Sequence, residues 1–209
     1  MTDYKVEVID LTTLPPGNTV LTAQELAFYQ TLKIAKRKTE WLGGRIALKK
    51  LLAAQLGGAL NEYEILVPGG VGKPLISRGG KSVAIPFSLT HSNGYAVAAV
   101  APGAKYIGID LEKVTHRMDA WKKDFFHPTE LTGESDAFLT ALWTQKEAVV
   151  KLLGAGLTVN SFDVRCVGGK VELFGRAREI FEELGGKEIL VEVTGGLILG
   201  FMFSVAIGN

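Results

Sequence analysis

Two apolar runs of closely similar make-up limit this chain more than any other feature. They are "GYAVAAVAP" at 94–102 and "GFMFSVAIG" at 200–208. Each follows a glycine-containing turn and is short, continuous and rich in small or β-branched residues, which is the pattern of a buried strand. One stands mid-chain and the other closes it, so the chain builds the same kind of element twice. The flanking segments agree. "YKVEVIDL" alternates as a strand, "TAQE" from Thr22 to Glu25 is a capping box, and helical sequence then continues with a break to Leu56. In the second part come "KYIGIDLEKV" as a strand, a helix at about 137–154, "SFDVRCVGGKVELF" as a hairpin and "GRAREIFEELGG" as a short helix. The expectation is two α+β halves, residues 1–104 and 105–209, with one mixed domain as the alternative.

The bulk properties exclude several classes. With 23 basic and 22 acidic residues the formal charge is +1, which gives no reason to expect a nucleic-acid or membrane partner. Cys166 is the only cysteine, so no disulfide can form within the chain, as suits a reducing compartment. The first ten residues carry charges where a signal peptide needs an apolar run, and no stretch reaches the roughly 20 apolar residues of a membrane span. A cytoplasmic protein is expected.

The helix "LWTQKEAVVKLLG" poses the main chemical question. At about 100° per residue, Leu142, Trp143, Val149, Val150 and Leu153 form one apolar arc, and Lys146 stands in its middle. A buried ammonium loses its proton or finds an anion. Glu147 and Lys151 mark the edge of the same face; a plain i,i+4 ion pair would account for those two but not for Lys146.

In "IGIDLE", Asp110 and Glu112 point to one side of a strand. A solvated strand face is the simple explanation. If Glu147 joins them, carboxylates about 4 Å apart repel by roughly 4 kcal/mol at an effective dielectric near 20, and a hard cation is required. Oxygen-only ligands favour Mg²⁺ or Mn²⁺, whose shell is commonly completed by water and substrate phosphate. That phosphate would be the anion for Lys146 and Lys151, and Lys146→Met would stabilise the free protein or leave it unchanged while crippling catalysis.

A second cluster, "KIAKRKTEWLGGRIALKK", holds seven basic residues and one acid, Glu40. On a helix Lys38, Arg45 and Lys49 fall on one side, either as a solvated face or as a phosphate cradle. "FSLTHS" puts Thr90, His91 and Ser92 beside a turn, where they can donate to phosphate oxygens. "VPGGVGKP" is not a P-loop, because Val67 stands where the motif needs Gly and Pro74 where it needs Ser or Thr.

Together these pieces resemble the 4'-phosphopantetheinyl transferase superfamily, in its longer two-domain, surfactin-synthetase-activator form. The family signature is (V/I)-G-(V/I)-D-x-E followed some 30–40 residues later by W-(S/T/C)-x-K-E-(A/S)-x-x-K. Here it stands as "IGIDLE" and "WTQKEAVVK", with "KRKTEWLGGRIALKK", "GKP" at 72–74, "FSLTHS" and "FFHPTE" as further landmarks. The resemblance implies two similar α+β halves related by a pseudo-twofold axis, and a monomer (a pseudodimer in one chain). It also implies Mg²⁺-dependent transfer of the phosphopantetheine arm of coenzyme A to a serine of an apo acyl or peptidyl carrier protein, releasing adenosine 3',5'-bisphosphate. Carried across, Asp110, Glu112 and Glu147 would hold the metal; Lys146 and Lys151 would contact phosphates. Arg37, Arg45, Lys73, Pro74, Thr90 and His91 would bind coenzyme A, and Glu130 would be a base for the attacking serine. The alternatives are a coenzyme A binding protein of the same fold without turnover, and a metal-dependent phosphoester hydrolase.

Overall fold

A computed structural model of the chain describes residues 3–67, 73–195 and 198–209. The chain divides into two compact units, Asp3–Pro102 and Gly103–Asn209.

The N-terminal unit contains β1 (Lys5–Asp10), α1 (Ala23–Thr31), α2 (Ala35–Leu56), β2 (Tyr63–Leu66), β3 (Leu75–Arg78), β4 (Lys81–Ser82), β5 (Phe87–Ser92) and β6 (Tyr95–Val100). An antiparallel sheet β1-β6-β5 carries α2, and β2-β3-β4 forms a second small sheet. The middle strand β6 is buried from Ala96 to Val100, as its unbroken apolar run requires. Asn93 and Gly94 both adopt positive φ, 43° and 90°, closing β5 onto β6 with a two-residue turn; glycine has no Cβ to oppose that geometry. Thr22 and Glu25 form the capping box at the start of α1. The helical sequence breaks between Thr31 and Ala35, where α2 begins. The stretch with glycines at 57–58, 69–70, 72 and 79–80 reads as loop in the sequence, yet its described residues include β2 and β3, and β4 follows; these strands are too short to show a period.

In the C-terminal unit are β7 (Tyr106–Lys113), α3 (Asp119–Phe125), α4 (Asp136–Leu153), β8 (Val164–Val167), β9 (Lys170–Leu173), α5 (Gly175–Glu183), β10 (Ile189–Gly195) and β11 (Phe201–Gly208). The sheet runs β7-β11-β10-β9-β8, all antiparallel, with α4 lying on β7 and β11. Leu139, Leu142, Val149, Leu152 and Leu153 of α4 are buried, each worth about 1.5–3 kcal/mol by removal from water. Ser135 caps the start of this helix by accepting from the Phe138 amide, and Gly154 ends it in the left-handed conformation. The sequence gives no periodic stripe for α3. It is held instead by aromatic packing: Trp121 and Phe125 lie 5.5 and 5.1 Å from Trp143. Among the described residues no helix is long and apolar enough to cross a membrane.

Candidate active site

The site is built where α4 crosses β7. Gly108 explains the crossing: a Cβ there would stand 2.0 Å from the Ala148 carbonyl oxygen and 2.4 Å from the Leu152 amide nitrogen. Only a glycine lets the helix backbone approach the strand so closely, so the glycine of "IGIDLE" is a packing requirement. Asp110, two residues on, shares the helix-facing side and is buried. It lies opposite Ser204 of β11, whose hydroxyl is 2.7 Å from that of Thr144 and links α4 to the sheet. The Lys151 ammonium donates to Asp110 Oδ1 at 2.6 Å. Half-buried Glu147 has its carboxyl held above the ordinary carboxylate range, first by burial and then by the negative charges of Asp110 and Glu112, with Lys151 opposing. The strand and helix carboxylates are therefore electrostatic neighbours. Among the described residues no three His, Cys, Asp or Glu side chains stand close enough to hold a metal ion as they are. Beside them opens a cleft of about 730 Å³, walled by Trp143, Val150 and Val159 as well as Lys146, Glu147 and Lys151.

Lys146 and Glu130 meet each other. The Lys146 ammonium donates to Glu130 Oε2 at 2.6 Å and to the Phe125 carbonyl at 3.0 Å, and the residue is 1% exposed. Glu130, 2% exposed, also accepts from the amides of His127 and Cys166, each at 2.8 Å. The sequence-based expectation assigned a phosphate to Lys146 and a serine hydroxyl to Glu130. In the structure the carboxylate that meets the ammonium of the apolar stripe is an internal one. Lys146→Met would strand that carboxylate without its cation, so the free protein is expected to lose stability rather than keep or gain it.

Within the N-terminal unit, Arg37, Arg45, Thr90 and His91 line one cavity of about 300 Å³, together with Glu40, Trp41, Gly44 and Leu89. Arg45 is 8% exposed; its guanidinium stacks 4.2 Å over Trp41 and donates to the Ile65 carbonyl at 3.3 Å, while Nε has no partner among the described residues. Burial brings its pKa down to about 10, so it stays charged at neutral pH. His91 Nδ1 is 3.5 Å from Glu40. Of the basic face expected on α2, Lys38 stands over the Tyr29 ring and Lys49 is committed to Glu25; neither lines this cavity. Lys73 and Pro74 stand just before β3, and Gly72 of the same motif lies outside the described residues.

The sequence reading missed the Glu25–Lys49 pair. Its signal was nonetheless present: "TAQE" and "HPTE" both end in a glutamate three residues after a cap, each followed by a long helix with a lysine on its buried side.

Comparison with known proteins shows which family the chain resembles. The family model of the 4'-phosphopantetheinyl transferase superfamily matches residues 106–184, which span β7 and α4. A Synechocystis sp. protein named for 4'-phosphopantetheinyl transfer is 31% identical over 155 residues, 69% of this chain and 61% of that one. The holo-[acyl-carrier-protein] synthase of Geobacillus sp. is 34% identical over 86 residues, 39% of this chain and 71% of that protein. The crystal structure of Helicobacter pylori holo-[acyl-carrier-protein] synthase with coenzyme A is 18% identical, covers 49% of this chain and 99% of its own, and superposes with a TM-score of 0.40, too low to carry any argument. The chain belongs to the 4'-phosphopantetheinyl transferase superfamily. It spans 61% of the Synechocystis relative.

Proposed function

We propose that the protein transfers the 4'-phosphopantetheine arm of coenzyme A to a serine of an apo acyl or peptidyl carrier protein, releasing adenosine 3',5'-bisphosphate. The observation that carries this reading is the Lys151–Asp110 pair at the edge of the cleft, with Glu147 lining the cleft and within electrostatic reach of Asp110 and Glu112. Like charges brought together at a helix–strand crossing are stabilised by a cation, and an all-oxygen set suits Mg²⁺, with Mn²⁺ as a substitute. Asp110, Glu112 and Glu147 would hold that ion, which when bound supplies charge neutralisation for a pyrophosphate.

This chain's own groups do the rest. Phosphoryl transfer asks a protein mainly for alignment and electrostatic stabilisation. Lys151 is partly exposed beside the carboxylates, so its ammonium can pass from Asp110 to a phosphate oxygen. In the N-terminal unit, Arg37, Arg45, Thr90 and His91 gather donors in one cavity, and the unpartnered Arg45 Nε suits the 3'-phosphate of the adenosine end. Lys73 and Pro74 keep the role of an adenine-side loop that the family resemblance implies. A single chain acting as a monomer in the cytoplasm completes the proposal.

The test is incubation with coenzyme A, Mg²⁺ and a panel of apo carrier proteins, followed by mass spectrometry of the carriers. Addition of the phosphopantetheine arm is expected. Binding of coenzyme A without transfer to any carrier would replace the proposal with a binding protein; free pantetheine phosphate without an acceptor would replace it with a hydrolase.

A further inference from the structure

The Glu130–Lys146 pair has a copy in the other unit. Glu25 is fully buried and accepts from the Thr22 amide at 2.9 Å, from the Ile65 amide at 3.0 Å and from the ammonium of Lys49. Lys49 also donates to the Val20 carbonyl at 2.8 Å. Every connection matches the C-terminal unit. Each glutamate caps its own turn three residues back and takes a lysine from the long helix. Each also takes the amide of a strand residue, Ile65 of β2 or Cys166 of β8. The lysine's second acceptor is in both cases the carbonyl five residues before the glutamate.

An apolar side chain could not replace the carboxylate in this role. A helix or turn start leaves backbone N–H groups without partners, and one carboxylate can accept from several directions at once. The pair therefore ties a cap, a long helix and a strand to one point.

In the N-terminal unit the next helix residue is Lys50, which pairs with Glu7 of β1, so there the device is followed by a cation and not by a carboxylate. In the C-terminal unit the next residue is Glu147. On this basis, and resting on the transferase reading above, we infer that Glu130 and Lys146 are a positioning pair: they fix the rotation of α4 and so hold Glu147 against Asp110. Glu130 takes no proton from the acceptor serine, and Lys146 touches no phosphate. Three donors already sit on the Glu130 carboxylate, which has about four acceptor positions, and the residue is 2% exposed, so its bonding is spent inside the unit.

The experiment is steady-state transfer by the full chain carrying Glu130→Gln, Lys146→Met or both, at varied Mg²⁺ and pH. Loss of positioning is expected to weaken Mg²⁺ by about 10- to 100-fold, the scale for groups that orient metal ligands. At saturating Mg²⁺ turnover should return to within about tenfold of the unmodified protein, with the kcat–pH profile unchanged in shape and the double variant closer to normal than either single one. A fall in kcat of about a thousandfold that excess Mg²⁺ does not rescue, with one limb of the pH profile lost, overturns the inference, since that is the behaviour of a missing general base. Should the variants not fold, the unmodified protein decides. A crystal structure with coenzyme A bound should keep the Lys146 ammonium on Glu130; a coenzyme A phosphate on that ammonium, or an acceptor hydroxyl on Glu130, overturns the inference. Absence of transfer by the unmodified protein would instead sink the functional reading.

Discussion

In the N-terminal unit the helix residue after the buried lysine is Lys50, whose ammonium stands 2.9 Å from Glu7 of β1. In the C-terminal unit it is Glu147, set against Asp110 and Glu112 of β7. Both units lay a long helix on an antiparallel sheet and anchor it with a buried Glu–Lys pair. One solves the strand carboxylate internally with an ammonium; the other adds a further carboxylate beside the Lys151–Asp110 pair. The difference teaches that scaffold and chemistry are separable here. The anchoring pair is common to both, and the residue that follows its lysine is basic in one unit and acidic in the other.

The sharpest way to break that comparison is to impose the N-terminal solution on the C-terminal unit. Glu147→Lys is expected to abolish the calorimetric heat of Mg²⁺ binding and to cut transfer by roughly 10³-fold, the scale of losing a preorganised charge. The thermal midpoint should hold or rise, because the crowded carboxylates gain an ammonium. Retained Mg²⁺ binding would show that Glu147 is not a ligand.

Next in size come the anchors themselves. Lys49→Met and Lys146→Met should each cost about 3–5 kcal/mol in urea unfolding, since each leaves a buried carboxylate without its cation. Replacing the glutamate by Gln as well should recover part of the loss, because the amide oxygen carries no charge to strand and still accepts from a backbone N–H. If the two units answered unequally, the equivalence of their anchors would fail.

Glycines at the helix–sheet contacts sharpen the contrast further. Gly108→Ala would force a methyl group against the backbone of α4, and about 3 kcal/mol of destabilisation is expected, at the upper end for overpacking. Gly43→Ala of α2 would instead press on the end of the Leu11 side chain, which can rotate aside, so about 1 kcal/mol or less is expected. Equal losses in chemical denaturation would contradict the account of Gly108.

Cys166 should show the smallest effect. It gives its amide to Glu130, the part that Ile65 plays for Glu25, and burial pushes its thiol up to about 12. Because the folded thiol ionises far above its ordinary range, almost no thiolate exists at about pH 8, and a disulfide reagent should react only after unfolding. Rapid labelling of the native protein would show that the C-terminal anchor opens.

Much of the plan was readable from order and period alone. The strands with alternating or unbroken apolar runs, the Thr22 cap, the Asn93–Gly94 turn and the helix over Asp136–Leu153 are set by local preferences that neighbouring residues express without help. The spacing of "IGIDLE" and "WTQKEAVVK" likewise marked Asp110, Glu112, Glu147 and Lys151 in advance, because the period of a strand and that of a helix state which side chains share a face. The lysine within an apolar stripe also announced that an anion had to be near. The identity of that anion was beyond the sequence, since a buried ammonium is satisfied equally by a bound phosphate or by a carboxylate 16 residues upstream. Only the packed molecule, by bringing the turn before α4 beneath the helix, selected Glu130. It also showed Gly108 to be the point of closest approach between two backbones, a long-range contact that leaves no periodic trace.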